Sequence, residues 1–121
     1  MPQPEQQQQR PPKQKHHEMN MKDPKNQNEH DPNHPHPHVS IKRQDSLTWF
    51  MDEAFSVTNI QPSNPFHRPL ATMVADEKGD DDTFRVNTGS PRPGTKGHYK
   101  ATFEFKVPGG RLPIDPDFNV D

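Results

Sequence analysis

Four histidines, His30, His34, His36 and His38, fall within nine positions near the end of a polar tail. Imidazole nitrogens suit zinc, copper and nickel, so these are the residues with the right chemistry for a divalent ion. A structural zinc site needs four fixed ligands, whereas here Pro35 and Pro37 separate the histidines along polyproline-like chain. The run is therefore read as compositional bias, and no metal or cofactor is assigned. Glu77-Lys78-Gly79-Asp80-Asp81-Asp82 lacks the ligand spacing of a calcium loop and reads as a solvated acidic stretch. Arg43 stands three residues before Ser46, a spacing common for basophilic kinases, and Ser90-Pro91 is a minimal proline-directed site. Ser46 and Ser90 are thus the phosphorylation candidates. No nucleophile elbow, phosphate loop or His-Glu-x-x-His pair occurs, so the sequence points away from an enzyme.

What would position any such residue is set by composition. Only 25% of the 121 residues are hydrophobic, and Leu, Ile, Val and Phe together number 19. That share is below the roughly 20% at which a core becomes hard to assemble. Pro, Gly, Gln and Ser supply 36 residues, and ordering each backbone residue costs roughly 1–2 kcal/mol, so disorder is the expectation for most of the chain. There is no Cys, which fits an intracellular protein, nuclear or cytoplasmic. No apolar run is long enough to insert in a membrane, and the start MPQPEQQQQR reads neither as a secretory nor as a lipidation signal. A net charge of -2 argues against direct nucleic-acid binding.

The chain divides into five segments. Residues 1–44 are a low-complexity Gln/Pro/His-rich tail without an aromatic residue. Residues 45–61 hold the single Trp and read as an amphipathic helix, about 46–60, on which Leu47, Phe50, Met51, Ala54, Phe55 and Val57 share one arc at 100° per residue. Asp45 or Ser46 would cap it, Pro62 would end it, and Trp49 and Ile60 fall outside the stripe. Residues 62–97 form a Pro- and Asp-rich linker containing a short strand at 83–87. Residues 98–107 alternate cleanly, with Tyr99, Ala101, Phe103, Phe105 and Val107 on one side, and are expected to pair with 83–87 as a β-hairpin. Residues 108–121 read as an extended tail.

Two short motifs lie in or beside the helix. Phe55-Ser56-Val57-Thr58-Asn59-Ile60 resembles the engrailed-homology repression peptide of transcription factors, in which Phe is followed at fixed spacing by two aliphatic residues. Phe55, Val57 and Ile60 match that pattern, while Gln61 replaces its usual final aliphatic residue. The resemblance implies docking on the β-propeller of Groucho-type co-repressors, with Phe55 as principal anchor. Asn64-Pro65-Phe66 resembles the tripeptide read by EH domains of endocytic adaptors, where a tight Asn-Pro turn presents the Phe.

Taken together, these features predict a small disordered regulatory adaptor, monomeric alone, that recruits a co-repressor of this kind. Leu47, Trp49, Phe50, Phe55, Val57 and Ile60 would dock as a helix in a groove. Tyr99, Phe103 and Phe105 would offer a partner the strand at 99–107, whose backbone edge is expected to be free. The alternatives are an endocytic adaptor working through Asn64, Pro65 and Phe66, and a filament- or microtubule-associated structural protein.

Overall fold

The stretch from Ser46 to Gln61 alternates rather than coils. Leu47, Trp49 and Met51 are buried while Thr48 and Phe50 between them are half-buried, and Phe55 and Val57 repeat the pattern around Ser56. A helical stripe leaves Trp49 out; a two-residue period puts it at the centre. β-Branched and aromatic side chains at successive positions suit a pleated surface, and the polar Asp52-Glu53 pair supplies the break between two strands. The helix expected at 46–60 is thus replaced by two strands.

The computed structural model describes residues 13–23, 26, 36–79, 81–105 and 114–121. Their strands are β1 (His16–Asn20), β2 (His38–Val39), β3 (Ser46–Met51), β4 (Phe55–Gln61), β5 (Val74–Ala75), β6 (Phe84–Asn87), β7 (Gly97–Phe105) and β8 (Asp117–Val120). One sheet has the order β1-β3-β6 and the other β2-β8-β7-β4-β5. Two pairs are parallel, β1 with β3 and β2 with β8, so both strands drawn from the polar tail lie alongside later strands. The remaining pairs are antiparallel. Among the described residues no helix is long and apolar enough to cross a membrane.

The expected hairpin of 83–87 with 98–107 does not form. β6 pairs with β3, Val86 opposite Trp49, and β7 pairs with β4 on one side and β8 on the other. β7 is consequently an interior strand with no free backbone edge where it is paired. Its register places Phe103 opposite Val57 and Phe105 opposite Phe55. The β7 segment satisfies its apolar face against the 45–61 segment as a neighbouring strand, which buries more than two strands alone could.

Trp49 joins the two sheets. Its ring is fully buried and meets Phe103 and Phe118 of the other sheet edge-on, at 5.4 and 5.9 Å between centroids. Phe118 in turn packs on Phe66 and Tyr99, and Phe55 stacks on Phe103 at 4.9 Å. Each such ring stabilises by roughly 1.5–3 kcal/mol on burial. Four of the five methionines, Met19, Met21, Met51 and Met73, also sit in this core. A count restricted to Leu, Ile, Val and Phe misses them, and averaging over 121 residues hides that the apolar residues concentrate in strands. The expectation of a mostly disordered chain is corrected on both grounds.

The tail joins the fold through Asp45. This carboxylate is 0% exposed and accepts five hydrogen bonds: from the backbone N–H of Lys15 (2.9 Å) and Ser40 (3.0 Å), Arg43 Nε and Nη2 (3.1 and 2.6 Å), and His17 Nε2 (3.1 Å). Gln44 takes a left-handed φ of 57° to bring Asp45 round. Residues 13–23 and 36–44 are therefore structured despite a composition that suggests otherwise. Residues 1–12, 24–25, 27–35, 80 and 106–113, for which the sequence also raises expectations, lie outside the described residues.

Burial alone would raise the Asp45 carboxyl, but the bonds from Arg43, Ser40, His17 and Lys15 outweigh it and hold the group well below the usual carboxylate range. A group depressed in this way contributes stability that is complete above its unfolded value of about 4 and is lost as pH falls toward the folded value. Asp45→Asn is expected to cost about 2 kcal/mol at neutral pH. Urea titrations over an acid series should show the wild-type midpoint falling more steeply below about pH 4 than that of the variant. Parallel pH profiles would show that Asp45 is not the linked group.

Candidate functional site

β2 is two residues long, and side chains on its outer face hold it in place. His38 aligns with Asn119 of β8, and Asn119 aligns with His98 of β7, forming one row across three strands. His38 Nδ1 lies 3.0 Å from Asp121 Oδ2. In the next row, His36 Nδ1 and His98 Nε2 approach the same oxygen of Asp117, at 3.1 and 2.9 Å, and His98 Nδ1 lies 2.9 Å from Asn119 Oδ1. The buried Asp117 carboxylate thus ties the tail to two later strands. Among the described residues no group of three or more His, Asp or Glu is disposed to hold a metal ion. The chemistry of this face is that of a latch.

Two concavities flank the sandwich. A shallow notch of about 200 Å³ runs between β4, β5 and β7, lined by Ala54, Phe55, Ser56, Val74, Ala75, Asp76, Glu104 and Phe105. Val74 is 46% exposed, the one large hydrophobic among the described residues left open to solvent. Phe105 beside it is half-buried, Asp76 and Glu104 also line the notch, and among the described residues no Lys or Arg does. The second cleft, between β1 and the approach to β2, is about 270 Å³ and includes His17, Asn26 and His36.

A third polar cluster belongs to the frame. Arg85 bonds Glu18 and Asp81 and lies 4.7 Å above the Phe50 ring, covering one of the rings expected to dock. The Thr83 hydroxyl and Arg85 bring the Asp81 carboxyl down to about 2.

Most residues that the sequence nominates for partner binding are in the core. Phe55, Val57 and Ile60 are each 2% exposed, and Leu47 and Trp49 are fully buried. Asn64 Oδ1 accepts the Phe66 N–H and its side-chain nitrogen donates to the Arg68 carbonyl. This is a tight turn, as the motif requires, but it drives Phe66 and Pro65 into the core instead of presenting them. Tyr99 and Phe103 are buried. Ser46 is buried, with its Oγ bonded to His16 and Asn87, and Ser90 is half-buried. His36 and His38 lie on the latch face, while His30 and His34 are outside the described residues.

The residues missed were His98, Asp117, Asn119 and Asp121 on the latch, Val74 in the notch and Asn26 in the cleft. The alternation of Asp117, Asn119 and Asp121 with Phe118 and Val120 is a strand signal that the preceding prolines mask. Val74 and Asn26 carry no comparable local signal.

Phe66→Ala should cost about 3–5 kcal/mol, the range for deleting a buried aromatic, whereas Phe105→Ala should cost clearly less. Chemical unfolding of both variants checks this; equal midpoints for Phe66→Ala and wild type would remove Phe66 from the core.

Comparison of the chain with protein-family models, with curated proteins and with solved structures finds no match.

Proposed function

We propose that the chain is a folded protein-interaction module, an adaptor rather than a catalyst, and that its recognition surface is the notch between β4, β5 and β7. The observation that carries this reading is Val74, exposed beside half-buried Phe105 with Asp76 and Glu104 around it. An apolar spot with carboxylates nearby suits an extended partner segment that places an aliphatic side chain between basic residues. A binding role is also supported by how the acid–base groups are used. Asp45 and Asp117 are engaged by cationic or imidazole partners that hold segments together, and Asp81 by Arg85, which also bridges to Glu18 of β1.

Docking of a Groucho-type co-repressor through Phe55, Val57 and Ile60, or of an EH domain through Phe66, would require those side chains to leave the core. The adaptor reading therefore moves from the two motifs to the notch.

Fluorescence anisotropy with a labelled peptide carrying leucine between lysines tests the proposal. Saturable binding is expected, weakening as salt shortens the screening length toward about 3 Å. A glutamate-flanked version of the peptide should not bind. Val74→Asp should weaken binding at least about tenfold while shifting stability by no more than about 0.5 kcal/mol, as for other surface changes. No saturable binding, or equal binding by Val74→Asp, sinks the notch as the recognition surface.

A further inference from the structure

The cleft between β1 and β2 is lined by His17, Glu18, Met19, Asn26, His36 and Pro37. Asn26 is only 7% exposed; its side-chain nitrogen donates to the Asn20 carbonyl at 2.7 Å, and its Oδ1 is buried with no hydrogen-bond partner. Native structures rarely leave a buried acceptor unsatisfied without a reason. His17 supplies a second acceptor. Its Nε2 lies 3.1 Å from Asp45 Oδ2, and an ionised carboxylate only accepts, so Nε2 carries the proton. In the neutral ring Nδ1 then holds the lone pair. Glu18 also lines the cleft, and its exposed carboxylate is bonded through Oε1 to Arg85. Among the described residues no Lys or Arg lines the cleft.

Two acceptors offered by described residues of one cleft complement a ligand head that donates, and an ammonium group has three N–H donors and no acceptor. Buried Met19 and half-buried Pro37 add apolar surface beside it. We propose that this cleft binds a small primary amine in its ammonium form, its head on Asn26 Oδ1 and His17 Nδ1 and its alkyl part against Met19 and Pro37. The site is separate from the notch and does not depend on the adaptor reading.

The test is a titration of the ¹⁵N-labelled full chain, followed by amide shifts, with n-butylammonium, n-butanol and zinc chloride in separate runs. Butylammonium should move the Asn26 side-chain amide and the Met19 backbone amide saturably, and butanol at the same concentration should not. Asn26→Leu keeps the bulk and removes the acceptor, so it should bind about tenfold more weakly. Asn26→Asp charges the acceptor and should bind more tightly by a similar factor, a gain that a merely structural residue would not give. Four outcomes would overturn the proposal: no saturable shift with the amine, equal shifts with butanol, zinc moving these resonances where the amine does not, or unchanged affinity in Asn26→Asp. The last holds even where Asn26→Leu fails to fold.

Discussion

A carboxylate removed from water must be fully hydrogen-bonded or give up its charge, and the amino-terminal part of this fold is built around one that keeps it. Asp45 collects donors from Lys15, His17, Ser40 and Arg43, four residues spread over 29 positions of chain. Without that convergence nothing apolar would hold most of β1 against β3, because of its five residues only Met19 reaches the core. With it, β1 covers one flank of Trp49's strand and the sheet closes over the aromatic cluster. The same logic recurs at the other sheet, where Asp117 receives His36 and His98 and so retains β2. Polar side chains recruit the weakly hydrophobic strands, and the aromatic rings then hold the two sheets together.

Much of the core was legible in the sequence, but not the partner of each segment. Tyr99, Ala101 and Phe103 show their alternation plainly, and the structure buries all three. The 45–61 segment fits a helical stripe nearly as well as two strands, since a run this rich in apolar residues satisfies either period. The choice is made by tertiary context: β3 and β4 gain neighbours on both sides, which an isolated helix lacks. Trp49 is the residue that could have decided it, because a helix strands it off the stripe. The tail was harder to read. His17, Asp45 and Ser40 cooperate across separations at which no periodicity exists to be read. The latch and the cleft were invisible for the same reason, since each is assembled from residues of two or three distant segments.

The short motifs illustrate how far local pattern can carry. Phe55, Val57 and Ile60 recur at a spacing that a docking peptide and a buried strand can share, with the bulge between Val57 and Asn59 accommodating the longer second step. Asn64-Pro65-Phe66 does make its turn; what surrounds the turn decides whether the ring faces water. A folded neighbourhood thus converts presentation motifs into packing motifs, and among the described residues it is Val74 that stays the exposed large hydrophobic.

The methionines give this core a distinct character. Met21 and Met73 are fully enclosed, and Met19 and Met51 nearly so. Thioether side chains are unbranched and polarizable, so they fill irregular space where branched residues would not fit. They also oxidise to polar sulfoxides once reagent reaches them. In the closed sandwich the side chains of Met21 and Met73 are shielded, so their oxidation proceeds through opened molecules. Each enclosed thioether is therefore a built-in recorder of opening: its rate of sulfoxide formation tracks how often its part of the sandwich parts, and an opened copy, once oxidised, packs less well when it closes again.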